Sequence, residues 1–118
     1  MFRRACFNVL AHNRDDHVRN FAFLMDEAGQ WRASPAFDLT LSGGPRGEHS
    51  MLVAGQGAQP TGDHLERLAK TAGVKRARAI VDEVRAALAR FPAFADEAGV
   101  PKRWIAEVSR ALGRPRRR

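Results

Sequence analysis

HNRDDHVRNFAFLM, His12 to Met25, followed after a short gap by SPAFDL, Ser34 to Leu39, is the stretch that decides how this chain is organised. His12 to His17 is too polar and too charged to be core, yet apolar segments flank it on both sides, so it reads as a loop. Beyond it Phe21, Phe23 and Met25 alternate with Ala22 and Leu24, the two-residue period of a strand. Gln30 to Ala33 can return as the partner strand after Asp26-Glu27-Ala28-Gly29, with Gly29 supplying the positive φ that such a turn often needs. Ser34-Pro35 ends that strand, because the residue before proline is pushed away from helix and proline donates nothing to a ladder. Asp38 therefore follows directly on a short hairpin, which can fold it back beside the loop.

Outward from this centre the apolar spacing turns helical. Phe2, Cys6, Val9 and Leu10 predict a helix over residues 1–11, and since no capping residue precedes it we expect a fold that begins upstream of Met1. Leu41 to Pro60 is rich in Gly, Ser and Pro, with Met51 to Ala54 as one short strand or packed piece, and is expected to form a surface loop near Asp38. Thr61 can cap a helix whose Leu65, Leu68, Ala69 and Ala72 share a face and which Gly73 ends. Ile80, Val81, Val84, Leu88 and Phe91 form the next stripe, stopped by Pro92. Trp104, Ile105, Val108 and Leu112 form another after Pro101, ended by Gly113. The expected fold is mainly α with a small β-hairpin at its N-terminal side: one domain over residues 1–113, then a basic tail over 114–118. Trp31 and Trp104 are expected in the core or at its edge, and His64 exposed on its helix.

Composition narrows the chemistry. At 118 residues and 44% hydrophobic content the chain suits one small globular domain. Its formal charge of +7 attracts phosphates of any kind, so ATP, RNA, DNA and acidic proteins all qualify as partners. Arg114, Arg116, Arg117 and Arg118 carry part of that charge in the tail. Lys75, Arg76, Arg78, Arg85 and Arg90 crowd one helix, which raises nucleic-acid binding, but its apolar stripe makes it first an ordinary amphipathic helix. Cys6 is the single cysteine, which rules out an intrachain disulfide, and it reads as a small buried side chain. The four histidines, His12, His17, His49 and His64, lack the spacing of a zinc site. No apolar run approaches the ~20 residues that span a bilayer and no secretory signal opens the chain, so no membrane partner is expected and the expected location is cytoplasmic.

Asp15 and Asn20 stand five positions apart on the loop, and Asp38 lies 23 positions beyond Asp15. Phosphoryl transfer from ATP asks for such a set: one carboxylate to orient an acceptor hydroxyl and take its proton, and an asparagine with a second carboxylate to hold magnesium against the phosphates. Magnesium prefers hard oxygen ligands and keeps several waters, so two protein ligands suffice. The order, the five-residue offset and the intervening hairpin all agree with the protein-kinase signature. Turn formation and helix capping are the ordinary work of Asp and Asn in loops, and Asp16 is assigned to that class.

The flanking residues sharpen the likeness. Asn13-Arg14-Asp15-Asp16-His17-Val18-Arg19-Asn20-Phe21 with Ser34-Pro35-Ala36-Phe37-Asp38-Leu39 closely resembles the catalytic core of HipA-like serine/threonine kinases, the toxins of bacterial toxin–antitoxin pairs. The similarity is closest from Phe7 to Leu41 and looser beyond, where Gly47-Glu48-His49-Ser50-Met51 still fits. The resemblance implies a protein-kinase-like C-terminal lobe in which Asp15 is catalytic and Asn20 and Asp38 are magnesium ligands. His17 and Arg19 would line the same loop around Mg2+ and ATP. It further implies a protein substrate of the aminoacyl-tRNA synthetase class and a HipB-like helix-turn-helix antitoxin, with DNA reached through it. No Gly-rich phosphate-covering loop appears, and no strand carries the lysine that would pair with the α- and β-phosphates. Gly55-Gln56-Gly57 reads as a turn. Those elements are expected upstream or in a separately encoded N-terminal kinase half, and independent catalysis is not expected. The rival reading is a noncatalytic kinase remnant that binds a partner subunit or a DNA-bound antitoxin.

Overall fold

The computed structural model describes residues 1–113, and the basic tail of Arg114, Arg116, Arg117 and Arg118 lies outside the described residues. Five α-helices and one two-stranded sheet follow in the order α1 (Phe2–Leu10), β1 (Phe23–Met25), β2 (Trp31–Ala33), α2 (Gly62–Thr71), α3 (Ala77–Ala89), α4 (Phe91–Glu97) and α5 (Lys102–Leu112) among these residues. The chain is thus mainly helical with a small antiparallel sheet, as its periodicities predict.

The core forms where the apolar stripes of α1, α2 and α3 meet. Cys6 and Val9 from α1, Leu65 from α2 and Val84 from α3 are buried together, joined by Val53 from the long loop. Phe2, Phe7, Leu10, Leu68, Ile80, Val81 and Leu88 close around them. Burying a Val or Leu side chain contributes about 1.5–3 kcal/mol, so this cluster outweighs any single polar contact in holding the three helices. A second, smaller contact joins α4 to α5 through buried Ala95 and Ile105. α4 is an element that reading Pro92 as a stop overlooks. Proline fits the first turn of a helix, where its missing N–H costs nothing, and Pro92 starts the new helix rather than only ending the old one.

Helix ends are set as their residues dictate. Gly73 sits at φ +64 after α2 while the amides of Gly73 and Val74 return to the carbonyls of Lys70 and Ala69, the hydrogen-bond pair of a left-handed helix stop. Thr61 opens α2, and the Nδ1 of His64 accepts the Thr61 amide at 3.1 Å. His64 is therefore a half-buried member of a capping box and not the exposed residue its position predicts. α1 ends by the same pattern as α2, with Asn13 N–H bonded to the Asn8 carbonyl at 2.9 Å and His12 N–H to Val9 at 3.4 Å. Here the left-handed position, φ +53, holds His12 in place of glycine.

The hairpin pairs Phe23 with Ala33, Leu24 with Arg32 and Met25 with Trp31, turning at Gly29 with φ +76. The Asp26 carboxylate secures the turn by accepting the amides of Ala28 and Gln30. Both strands are exposed throughout, and Trp31 is 68% exposed where the sequence predicts packing. A two-stranded ribbon has no second layer of its own, and no other described element covers it. Trp104 is likewise exposed, its ring met by the Arg103 guanidinium at 5.3 Å. Arg4 ties α1 to both ends of the hairpin, donating to the Ser34 carbonyl and lying 5.8 Å from the Phe21 ring.

Candidate active site

The loop after α1 is built by asparagine side chains. Asn13 is almost fully buried, and its Nδ2 donates to Asn8 Oδ1 at 3.0 Å and to the Asp38 carbonyl at 3.4 Å. One amide thereby links the end of α1 to the segment beyond the hairpin, bringing Asp38 to the loop. Ser42 N–H donates to the His12 carbonyl at 3.1 Å, and Asn13 and Ser42 form a parallel bridge. Asp38 takes φ +53, a left-handed conformation that Asp tolerates better than most residues but that still costs a side-chain-bearing residue. His12 and Asp38, two of the four such non-glycine residues described, thus bracket this one site, and strain of this kind gathers where surrounding structure over-determines a functional geometry.

Within the loop Val18–Asn20 makes a single 3₁₀ turn that His17 opens in an extended conformation. The Asn20 amide returns to the His17 carbonyl at 3.0 Å, and its side-chain Nδ2 donates to the Asp15 carbonyl at 3.0 Å. This second bond carries the five-residue spacing into space: the turn brings Asn20 back onto Asp15. Asp15, Arg19 and Asp38 are exposed, while His17 and Asn20 are half-buried. An apolar groove of about 420 Å3 lined by Phe7, Ser34, Ala36, Leu39 and Val84 runs close by, but its lining includes none of Asp15, Asn20 and Asp38. Asp15 and Asp38 are exposed to solvent, and Asn20 is partly covered.

Asp16 carries a role that turn chemistry does not predict. Its side chain is 4% exposed, and His49, whose side chain is fully buried, places Nδ1 3.0 Å from Oδ2. Met51 N–H donates to Oδ1 at 3.2 Å, so each carboxylate oxygen has its own donor. Ser50 meets the Arg14 carbonyl with its amide at 2.9 Å and with its hydroxyl at 3.3 Å. The expected surface loop is therefore pinned against the site loop at residues 42–51. Met51 to Ala54 forms no strand of a sheet. Instead Val53 and Gln56 exchange both backbone hydrogen bonds across a tight turn, with Ala54 at φ +49 and Gly55 at φ +86. The sequence signal for the Asp16–His49 contact was the bare run Glu48-His49-Ser50, which no periodicity marks.

Several polar atoms gather here without internal partners. Asn13 Oδ1, Arg14 Nε, His17 Nδ1 and His49 Nε2 are buried and lack a hydrogen-bond partner among the described residues, with Arg4 Nη1 the other such atom. Buried polar groups are ordinarily paired, so their concentration around one loop marks a polar site rather than a core. For a cation, the Asn20 amide oxygen and the Asp38 carboxylate are hard oxygen donors of the kind magnesium takes. Asn20 uses its nitrogen toward Asp15, which leaves that oxygen available for the cation. No three His, Cys, Asp or Glu side chains among the described residues converge as a metal cage.

Three of the five basic residues of the α3 region have local contacts. Arg85 pairs with Asp82 at 3.5 Å and Arg78 with Glu66 at 3.6 Å, while the Arg90 guanidinium lies 4.6 Å from the Phe94 ring. No described helix is long and apolar enough to cross a membrane. A family model described as HipA-like C-terminal domain matches residues 1–91, a span that holds the whole site and ends where α4 begins. Searches of the curated proteins and of the solved structures found no match.

Proposed function

The chain belongs to the HipA-like C-terminal domain family, and on that premise we propose that its 12–38 region is the phosphoryl-transfer centre of a serine/threonine protein kinase lobe. The observation that supports this reading is a pair of asparagine bonds to the site backbone: Asn20 Nδ2 on the Asp15 carbonyl at 3.0 Å and Asn13 Nδ2 on the Asp38 carbonyl at 3.4 Å. Asp15, exposed between two anchored neighbours, orients the acceptor hydroxyl and accepts its proton. Asn20 and Asp38 hold magnesium, with His17 and Arg19 beside the ATP phosphates. Magnesium, when bound, supplies charge neutralisation at those phosphates. The protein substrate of this reading is of the aminoacyl-tRNA synthetase class, and a helix-turn-helix antitoxin with its DNA is the regulatory partner.

A noncatalytic docking role is favoured by one other observation, the exposed face of Phe23, Met25 and Trp31 on the hairpin. Apolar area of this sort is common at protein interfaces. Calorimetric titration of magnesium-ATP into the chain, with Asp38→Ala as control, tests the kinase reading. Binding that the substitution abolishes supports it. Binding that Asp38→Ala leaves unchanged overturns it, and no binding by a folded wild-type chain excludes independent activity and leaves an incomplete kinase half that needs a partner.

A further inference from the structure

We infer that His49 is a positioning residue for the loop that presents Asp15 and Asn20, acting through the buried carboxylate of Asp16. The functional meaning of that loop rests on the phosphoryl-transfer reading, while the positioning itself rests on geometry.

An ionised carboxylate can only accept hydrogen bonds, so in the 3.0 Å contact His49 donates from Nδ1. The second oxygen of Asp16 accepts Met51 N–H at 3.2 Å. A carboxylate gripped at both oxygens has no rotational freedom left, and Asp16 is fixed together with its backbone. Two residues earlier, the Arg14 carbonyl is gripped by the Ser50 amide and hydroxyl. Residues 49–51 therefore hold the loop on both sides of Asp15, which is exposed while Arg14 is half-buried and Asp16 buried. Asn20 rides on the Asp15 carbonyl, so a shift of this backbone carries Asn20 with it.

The contact is not part of the apolar core, whose members are Cys6, Val9, Val53, Leu65 and Val84. A buried carboxylate that loses a donor is driven toward water, because burial penalises an under-bonded charge far more than an exposed one. Removing the His49 donor should therefore release the loop while the helices stay packed. Asn at position 49 carries an N–H one bond from Cγ, as Nδ1 of histidine does, and can replace the donor. Leu cannot.

The test is amide hydrogen exchange by NMR on the full chain for wild type, His49→Leu and His49→Asn, with Mn2+ alone as a paramagnetic probe. His49→Leu is expected to speed exchange at Asn20, Ser50 and Met51 by about tenfold or more, with Val84 in α3 unchanged. Broadening at Asp15, Asn20 and Asp38 should then require about tenfold more Mn2+, and His49→Asn should restore both readouts. Unchanged exchange at those amides, acceleration shared equally by α3, or an Asn variant no better than Leu would overturn the inference. In the wild-type chain the His49 ring is expected as the Nδ1–H tautomer, and an Nε2–H tautomer refutes it even where His49→Leu does not fold. Absence of Mn2+ broadening in wild type would instead sink the kinase-site reading, leaving exchange to decide the positioning role.

Discussion

Replacing Gly44 by alanine probes how tightly residues 42–51 are pressed on the site loop. Gly44 sits at φ +67, and forcing an L side chain into that region costs about 1–2 kcal/mol. Its added Cβ would also lie 2.1 Å from the Glu48 carbonyl oxygen and 2.5 Å from Arg14 Cβ. Carbon pairs sit best at about 3.5–4.0 Å, so backbone on one side or the other must move by more than an ångström in relief. Overpacking of this kind costs about 1–3 kcal/mol, giving about 2–5 kcal/mol in all. That is a large share of the ~5–15 kcal/mol by which a domain is stable. Two controls separate the terms. Gly29, at φ +76 with nothing within 4 Å, isolates the backbone cost, so Gly29→Ala should lose about 1–2 kcal/mol. Gly43 has open space and no positive φ, so Gly43→Ala should be neutral or gain up to ~1 kcal/mol. Urea unfolding followed by helical circular dichroism reads all three. A Gly44→Ala loss within about 0.5 kcal/mol of the Gly29→Ala loss would show that the loop is not packed on Arg14, and the reasoning would fail.

Ala54 occupies a left-handed position, φ +49, ahead of Gly55 in the Val53–Gln56 turn, where Asn or Gly is preferred; Ala54→Gly should raise stability by about 1 kcal/mol, and an unchanged or lower urea midpoint refutes this. Burial pushes the Cys6 thiol up from its ordinary 9.0 to about 11, against the opposing pull of Arg3 and Arg85. Because the folded state then keeps its proton longer than the unfolded one, this stabilising contribution is full below pH 9 and is lost as pH rises toward 11. Wild-type stability should accordingly fall more steeply across that window than that of Cys6→Ala, and parallel pH profiles from urea melts would count against it.

The helices were legible because their signals are local. The spacing of Cys6, Val9 and Leu10, of Leu65, Leu68 and Ala69, and of Ile80, Val84 and Leu88 reports which face of each helix is buried, and the observed core is assembled from those faces. Gly73 and Gly29 mark a helix stop and a turn because few other residues tolerate their φ. Pro92 misled because proline disfavours a helix behind it yet suits the first turn of one ahead, and only the packing of α4 on α5 decides which effect counts. Trp31 misled for a different reason: strand alternation shows that a face is apolar, while burial needs a second layer to lie on it.

The pairing of Asp15 with Asn20 is local, since one loop with a single 3₁₀ turn brings them together within five residues. Asp38 is a different matter, reaching the loop through a bond from Asn13 across 25 residues. Asp16 and His49 meet across 33 residues, and Gly44 gives way to Arg14 across 30. Local hydrogen bonds and apolar periods act within a few residues and leave their imprint on the order of amino acids. Contacts between distant loops form only after the helices beneath them have packed and closed the intervening chain, so the residue order names the participants and the tertiary structure alone decides which of them touch.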